Sequence, residues 1–272
     1  MENMQTDPIK QTPPKTGLID SNKYRTQLQT RSEEDERAHR KARLAGALRI
    51  FADMGFTEGV AGHITARDPG EPETFWVNPY ALHFSRVQVS NLIRVDGKGQ
   101  VLDGSGVVNR AAFEIHHAIH AARPEVISAA HTHTIAGRAW STMGRPVAPL
   151  VQEACAFYNN HAVLNDYAGI ISEPLKAESV ANALGDKRAV TLMHHGNITV
   201  GDSVEEAAWW FITLDRCCQI ELKARATGCE VHEMRDDWAS LAARQFGNSG
   251  KARVSFDMLY DAAVAKYPDL LD

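Results

Sequence analysis

Two predicted strands in the middle of the chain each run directly into histidines, and this pattern limits the possible folds most strongly. Helix and strand alternate here over four segments, with helices expected at about 109–122 and 177–185 and strands at 126–133 and 189–193. The first helix has no Gly or Pro, carries apolar residues on one face and stops before Pro124. Such alternation is typical of an α/β domain, in which helices cover a sheet.

The rest of the chain supplies further elements on both sides of this middle part. Helices are expected at about 32–54, 203–226, 233–245 and 255–264, and short strands at 59–67, 74–78, 92–95 and 100–102. The four strands predict an antiparallel meander. Because residues 1–31 have few apolar side chains, we divide the chain into a flexible N-terminal arm (1–31), a main domain (32–227) and a helical C-terminal appendage (228–272).

Charge and composition argue against several classes of protein. The net charge of −5 gives no general electrostatic reason to bind nucleic acid, which needs a basic surface. No apolar run approaches the ~18 residues of a membrane-spanning helix, and the polar N-terminus lacks the apolar core of a secretory signal. The four cysteines show no CxxC spacing, which predicts reduced thiols. We therefore expect a cytoplasmic protein with no nucleic-acid or membrane partner.

His131 and His133 close the first predicted strand of the middle part. Because side chains alternate across a strand, positions i and i+2 project on the same side, so the two imidazoles converge. A third nitrogen ligand is available from His194 or His195, where Gly196 permits a tight turn. Three histidines leave coordination positions open, as in a catalytic metal site. The alternative is a chance HxH in a chain with 12 histidines.

Two segments of the chain resemble the class II aldolase/adducin family: Ala130-His131-Thr132-His133-Thr134 and His194-His195-Gly196-Asn197-Ile198-Thr199. Segments at 62–65, 108–116, 123–124 and 201–207 are similar to that family in order and spacing, so the resemblance covers about residues 40–227. By position, His195 corresponds to the third metal ligand of the family, and His194 lies beside it.

The resemblance implies a three-layer α/β/α domain with a central, largely antiparallel sheet. It also implies a small-molecule substrate and usually a homotetramer whose active sites lie near subunit contacts. One divalent metal ion is expected, held by His131, His133 and His195. Because a three-histidine site does not distinguish metals by itself, we take zinc as the first choice and manganese, iron and cobalt as alternatives.

The chain departs from the sugar-phosphate aldolases of this family at their catalytic glutamate. Those enzymes resemble one another in a glutamate on the helix before the HxH strand, four residues ahead of a histidine, and here that position is Ala112. Glu114 cannot replace it, because two residues along a helix is about 200° of rotation. His116 lies on the same stripe and is a catalytic candidate, with a packed core histidine as the alternative.

The loops that hold the substrate phosphate in those aldolases also differ. Small residues let backbone N–H groups approach phosphate oxygens, whereas this chain has His63, Tyr80 and Asn109 at the corresponding turns. We therefore expect a non-phosphorylated substrate. Tyr80, His83 and Phe84 suit a carboxylated or aromatic one, with ordinary loop packing as the alternative. The predicted substrate-binding residues are His63, Tyr80, His83 and Asn109.

The segment 152–158 carries the remaining acid–base candidates, Glu153 and Tyr158. Glu153 is a candidate general base, or a partner that orients a ligand imidazole. A salt bridge at a subunit contact is its alternative role.

These residues predict a metal-dependent carbon–carbon lyase that acts by aldol cleavage or decarboxylation on a small keto or carboxylic acid. Two alternatives stay open. Some relatives in the family resemble this sequence and use the three-histidine site with iron, as non-haem oxygenases. The adducin head shares the fold as a cytoskeletal assembly module, but here the metal histidines are intact and no long basic tail follows residue 227.

Overall fold

A computed structural model describes residues 30–167, 169 and 173–272, so most of the predicted arm lies outside the described residues. Within them, the strands are β1 (His63–Arg67), β2 (Phe75–Val77), β3 (Ile93–Val95), β4 (Val101–Asp103), β5 (Ser128–Thr132), β6 (His161–Leu164), β7 (Ala189–Leu192) and β8 (Gly196–Gly201). The α helices are α1 (Glu33–Asp53), α2 (Arg110–Ala122), α3 (Ile135–Ser141), α4 (Pro174–Leu184), α5 (Val204–Ala226), α6 (Asp236–Phe246) and α7 (Ser249–Lys266). Three short 3-10 helices lie at Phe84–Arg86, Val89–Asn91 and Glu153–Phe157.

All eight of these strands join one sheet in the order β4-β3-β2-β1-β5-β8-β7-β6. Every neighbouring pair is antiparallel except β6 and β7, which are parallel. The first four strands are neighbours in chain order, as the predicted meander requires. The predicted sheet, central and largely antiparallel, is confirmed.

Helices cover both faces of this sheet. Ala129 and Ala130 are adjacent in β5 and therefore point to opposite faces. Ala130 packs in a cluster built from α1, α5 and α7, which includes Phe51 and Phe211. Ala129 packs in a second cluster, built from α2 and α4. The predicted three-layer α/β/α arrangement is therefore confirmed.

The helices of the predicted appendage pack against the main domain. Phe256 of α7 is fully buried in the same cluster as α1 and α5. Two buried arginines of α1 hold this segment, because Arg43 contacts Asp257 at 3.2 Å and Arg49 contacts Asp269 at 2.8 Å. Helices α6 and α7 lie within residues 228–272, and α7 shares the core with α1 and α5; the division of the chain into three parts stays a prediction.

Several elements differ from the sequence-based expectation. The strand expected to include His133 ends at Thr132, and β6, β8 and α3 were not predicted. Strand β8 escapes a hydrophobic pattern because it begins and ends with glycine and buries polar Asn197 and Thr199. Within the described residues, no helix is long and apolar enough to cross a membrane.

Candidate active site

Three histidines meet at one edge of the sheet, where β5 ends and β8 begins. His131 lies in β5, and His133 follows it by two residues. His195 lies in the turn between β7 and β8, directly before Gly196, whose φ of +152° favours glycine. One ring nitrogen from each histidine lies within 4.8 Å of the others. The structure therefore brings together the three predicted metal ligands.

Hydrogen bonding and burial keep these imidazoles in the form that a metal ligand requires. The Nδ1–H of His131 donates to the carbonyl oxygen of Asn197 at 2.8 Å, so its Nε2 keeps a lone pair. Burial lowers the pKa of all three rings, that of His195 to about 4. The Nε2 atoms of His133 and His195 lie 3.0 Å apart. A compact set of neutral imidazoles fits a divalent first-row cation.

His194 points away from this cluster. Its backbone has a φ of +60°, which is uncommon for a residue other than glycine. Its side chain is exposed, and its ring centroid lies 6.0 Å from that of Tyr167. The tight turn therefore separates the two adjacent histidines, and His195 is the one in the cluster.

A cavity of about 130 Å³ has His63 in its wall, and none of the three clustered histidines lines it. Its wall contains all four predicted substrate-binding residues, which are His63, Tyr80, His83 and Asn109. The ring centroid of His63 lies 5.1 Å from that of His131, and so links the cavity to the cluster. None of the residues that line the cavity is an aspartate, glutamate, lysine or arginine.

The position of the aldolase glutamate lies in this cavity wall. Ala112 lines the cavity, whereas Glu114 does not and instead lies 3.6 Å from the Nε of Arg110. Ala112 and Glu114 therefore lie on different sides of α2, as helical geometry predicts. No carboxylate of α2 faces the cavity.

The turn before β1 is closed to bulky groups on one side. Gly62 has a φ of +112°, and a Cβ atom there would lie 2.9 Å from Cζ of Phe84 and 2.9 Å from Oγ1 of Thr132. The Phe84 ring and the Thr132 side chain thus fill the space beside the Gly62 backbone.

His116 lies behind the cavity and contacts it through His63. The Nδ1 of His63 lies 2.6 Å from Nε2 of His116, and Nδ1 of His116 lies 2.7 Å from Oγ1 of Thr65. The same hydroxyl lies 2.9 Å from Nε2 of His120. Thr65 and His120 are not among the predicted site residues, although the four-residue spacing of positions 112, 116 and 120 places His120 on the same helix stripe as His116.

Two predicted catalytic residues lie elsewhere in this single chain. Glu153 is exposed in the first turn of its 3-10 helix. Tyr158 packs with residues of α6, and a hydrogen bond with Asp236 raises its pKa. Among the described residues, neither contacts the three histidines or lines the cavity, so their catalytic roles stay predictions.

Comparison with known proteins agrees with this arrangement. Residues 42–222 match the family model of the class II aldolase and adducin N-terminal domain. The chain belongs to this family. It is 42% identical over 238 residues to decarboxylase NovR of Streptomyces niveus, a match that covers 87% of this chain and 88% of that protein. It is also 42% identical to 4-hydroxy-3-prenylphenylpyruvate oxygenase/4-hydroxy-3-prenylbenzoate synthase of Streptomyces roseochromogenus subsp. oscitans, over 87% of this chain and 86% of that protein.

A solved structure of the family has the same fold. L-fuculose 1-phosphate aldolase from Glaciozyma antarctica PI12 superimposes with a TM-score of 0.84 and 36% identity, over 91% of this chain and 97% of that one. Together, these matches class the chain as a lyase-type enzyme.

Proposed function

We propose that this protein is a divalent-metal-dependent lyase that breaks a carbon–carbon bond of a small, non-phosphorylated keto or carboxylic acid, by aldol cleavage or decarboxylation. The observation that carries this proposal is the convergence of His131, His133 and His195. The His63 ring connects this cluster to a cavity whose wall has no aspartate, glutamate, lysine or arginine. These three histidines are the proposed ligands, with zinc as the first choice of metal. A bound divalent ion would polarise a substrate oxygen and stabilise the negative charge that develops during bond cleavage.

The cavity wall limits the part of the substrate that lies away from the histidines. An apolar cavity of about 150 Å³ binds benzene, so about 130 Å³ suits one ring or a short alkyl group. Val60, Leu82 and Phe84 supply apolar surface for it. An uncharged wall has no lysine or arginine to neutralise a phosphate dianion, which supports a non-phosphorylated substrate.

Polar groups at the cavity are suited to hold substrate oxygens. The Oδ1 of Asn109 accepts from the backbone N–H of Ala111, so its Nδ2 remains a donor towards the cavity. The Nδ1 of His83 accepts from the backbone N–H of Ser85, which leaves the proton of a neutral ring on Nε2. Two such donors would orient a carboxylate or a carbonyl group.

The names of the two relatives favour two different reactions. One relative is named a decarboxylase, which favours the lyase. The other is named an oxygenase that acts on a prenylated hydroxyphenylpyruvate, and this name favours the second candidate, an iron-dependent oxygenase on the same three histidines. The structural neighbour named for a sugar phosphate favours aldol cleavage. Because Ala112 stands where the sugar-phosphate aldolases have their catalytic glutamate, we do not expect cleavage of a sugar phosphate.

Metal analysis and oxygen dependence test the proposal. Protein purified without chelator should contain about one divalent ion per chain, and zinc-loaded protein should release product from 2-keto acids such as phenylpyruvate without oxygen. Turnover only with iron and with stoichiometric consumption of oxygen would support the oxygenase instead. A homotetramer and a cytoplasmic location are further parts of the proposal, and light scattering on the eluted protein measures the first.

A further inference from the structure

A row of four buried side chains connects the cavity with the interior beneath α2: His63, His116, Thr65 and His120. The distances between successive partners are 2.6, 2.7 and 2.9 Å. All four side chains are at most 7% exposed, so water does not complete their hydrogen bonds. Each shared hydrogen must therefore point in one direction or the other, and one end of the row decides which.

The end at His120 is fixed by Arg67. The Nδ1 of His120 lies 3.2 Å from the carbonyl oxygen of Val126 and 3.3 Å from Nη2 of Arg67. The two N–H groups on Nη2 donate to the carbonyl oxygens of His120 at 2.7 Å and Arg123 at 3.1 Å. No hydrogen remains on Nη2 for the imidazole, so the Nδ1–H of His120 donates to Val126.

The orientation of this first hydrogen bond then determines which atom donates in each of the others. Burial lowers the pKa of His120 to about 3 and that of His116 well below its usual value, so each ring carries one hydrogen. The Nε2 of His120 consequently accepts from the hydroxyl of Thr65, and that hydroxyl accepts from Nδ1–H of His116. The Nε2 of His116 accepts in turn from Nδ1–H of His63.

We infer that this row fixes His63 as a hydrogen-bond acceptor at the cavity, where its Nε2 receives a hydroxyl group of the ligand. The Nε2 atom has no hydrogen-bond partner in the part of the chain that the structure describes, and the ring lines the cavity. Thr65, His116 and His120 are positioning residues that act through His63. The inference rests on the proposed function, and it selects a substrate that carries a hydroxyl group over the same acid without one.

The tautomer of His63 is measured directly by ¹⁵N solid-state NMR of zinc-loaded protein labelled at histidine, because zinc is diamagnetic. His63→Asn identifies the resonances of His63. We expect a hydrogen on Nδ1 and none on Nε2. We expect Thr65→Val to give a mixture of tautomers, whereas Thr65→Ser, which keeps the hydroxyl, should retain the single form. A hydrogen on Nε2 in the unmodified protein would overturn the inference, whatever the reaction catalysed.

Ligand selection is measured by calorimetry with 3-phenyllactate and 3-phenylpropionate, which differ only in the hydroxyl group. Phenyllactate should bind more tightly than phenylpropionate, and Thr65→Val should reduce this preference on the order of fivefold, the value of one hydrogen bond. Thr65→Ser should keep the preference. A ligand hydroxyl that bound only the metal would give the same preference in both variants, so the contrast between them identifies the contact with His63. Equal affinities for the two acids, or a preference that Thr65→Val leaves unchanged, would refute the acceptor role.

Discussion

Replacing Ala112 with glutamate would restore the carboxylate that sugar-phosphate aldolases of this family carry on this helix. Ala112 lies in the cavity wall, so the new carboxylate would face the same cavity as His63. General acid–base catalysis by such a group contributes about 10²–10⁴ in rate. This factor corresponds to about 3–5 kcal/mol of transition-state stabilisation.

The missing carboxylate is one of two features that distinguish this site from that of a sugar-phosphate aldolase. A phosphate group would also meet the Phe84 ring against Gly62 and a wall without basic side chains, so the remote group could not position the reacting carbon. We therefore expect no measurable cleavage of L-fuculose 1-phosphate by the unmodified protein. Ala112→Glu should recover less than about tenfold of the 10²–10⁴ that the carboxylate alone contributes.

The assay is a coupled measurement of aldehyde release by metal-loaded protein, with Ala112→Gln as a control of similar size without the charge. Robust turnover by the unmodified protein would refute the reasoning entirely. A gain of 10²-fold or more in Ala112→Glu over Ala112→Gln would show that the cavity accepts the phosphate group. That result would refute the argument that the cavity wall excludes phosphate.

Three further predictions concern the metal, the buried row and acid stability. His133→Ala should reduce the metal content of purified protein from about one ion per chain to near zero, while circular dichroism shows a retained fold; unfolding on chelation would instead make the ion structural. Thr65→Val leaves two buried imidazole nitrogens without a partner, so denaturant titration should show a loss of about 2–4 kcal/mol, with little loss in Thr65→Ser. Burial lowers the pKa of His161 to about 3, so its contribution is present above pH 6.5 and is lost as the pH falls towards 3, by about 3 kcal/mol at pH 4. His161→Gln should lose less stability between pH 7 and pH 4, and an equal loss would contradict the assignment.

Local patterns in the sequence were sufficient for most of the helices and for the pairing of His131 with His133, whereas the choice of His195 over His194 needed the family resemblance. Helix α1 was predictable because Ser32 caps it and acidic residues fill its first turn. The convergence of His131 and His133 follows from the two-residue period of a strand, which survives although His133 lies just beyond β5. The resemblance to the family marked the position of Ala112, and helical geometry excluded Glu114 from the cavity.

Features that depend on contacts between distant segments were not predictable in this way. Strand β8 buries Asn197, whose amide oxygen accepts a hydrogen bond from the Thr191 hydroxyl at 2.7 Å. This contact with a neighbouring strand allows a polar residue to be buried, and a search for runs of apolar residues does not detect such a strand. The role of Thr65 depends on two histidines more than 50 residues away in sequence. Glu153 was a candidate because it lies between the two ligand segments in the sequence, and that position did not bring it to the cavity.

The packing of α7 on α1 has a consequence for the order in which the chain can fold during synthesis. The contact between Arg49 and Asp269 joins residues 220 positions apart. At about 5–20 residues per second, a ribosome needs about 10–40 s to make the distance between them. Throughout this interval, Arg49 lacks its contact with Asp269, and the α1 surface that α7 later covers lacks that helix. The nascent protein therefore depends on α7, which is made long after α1, to close a core that α1 begins. A ribosome stalled before residue 249 would hold an intermediate with exposed apolar surface, which is prone to aggregate.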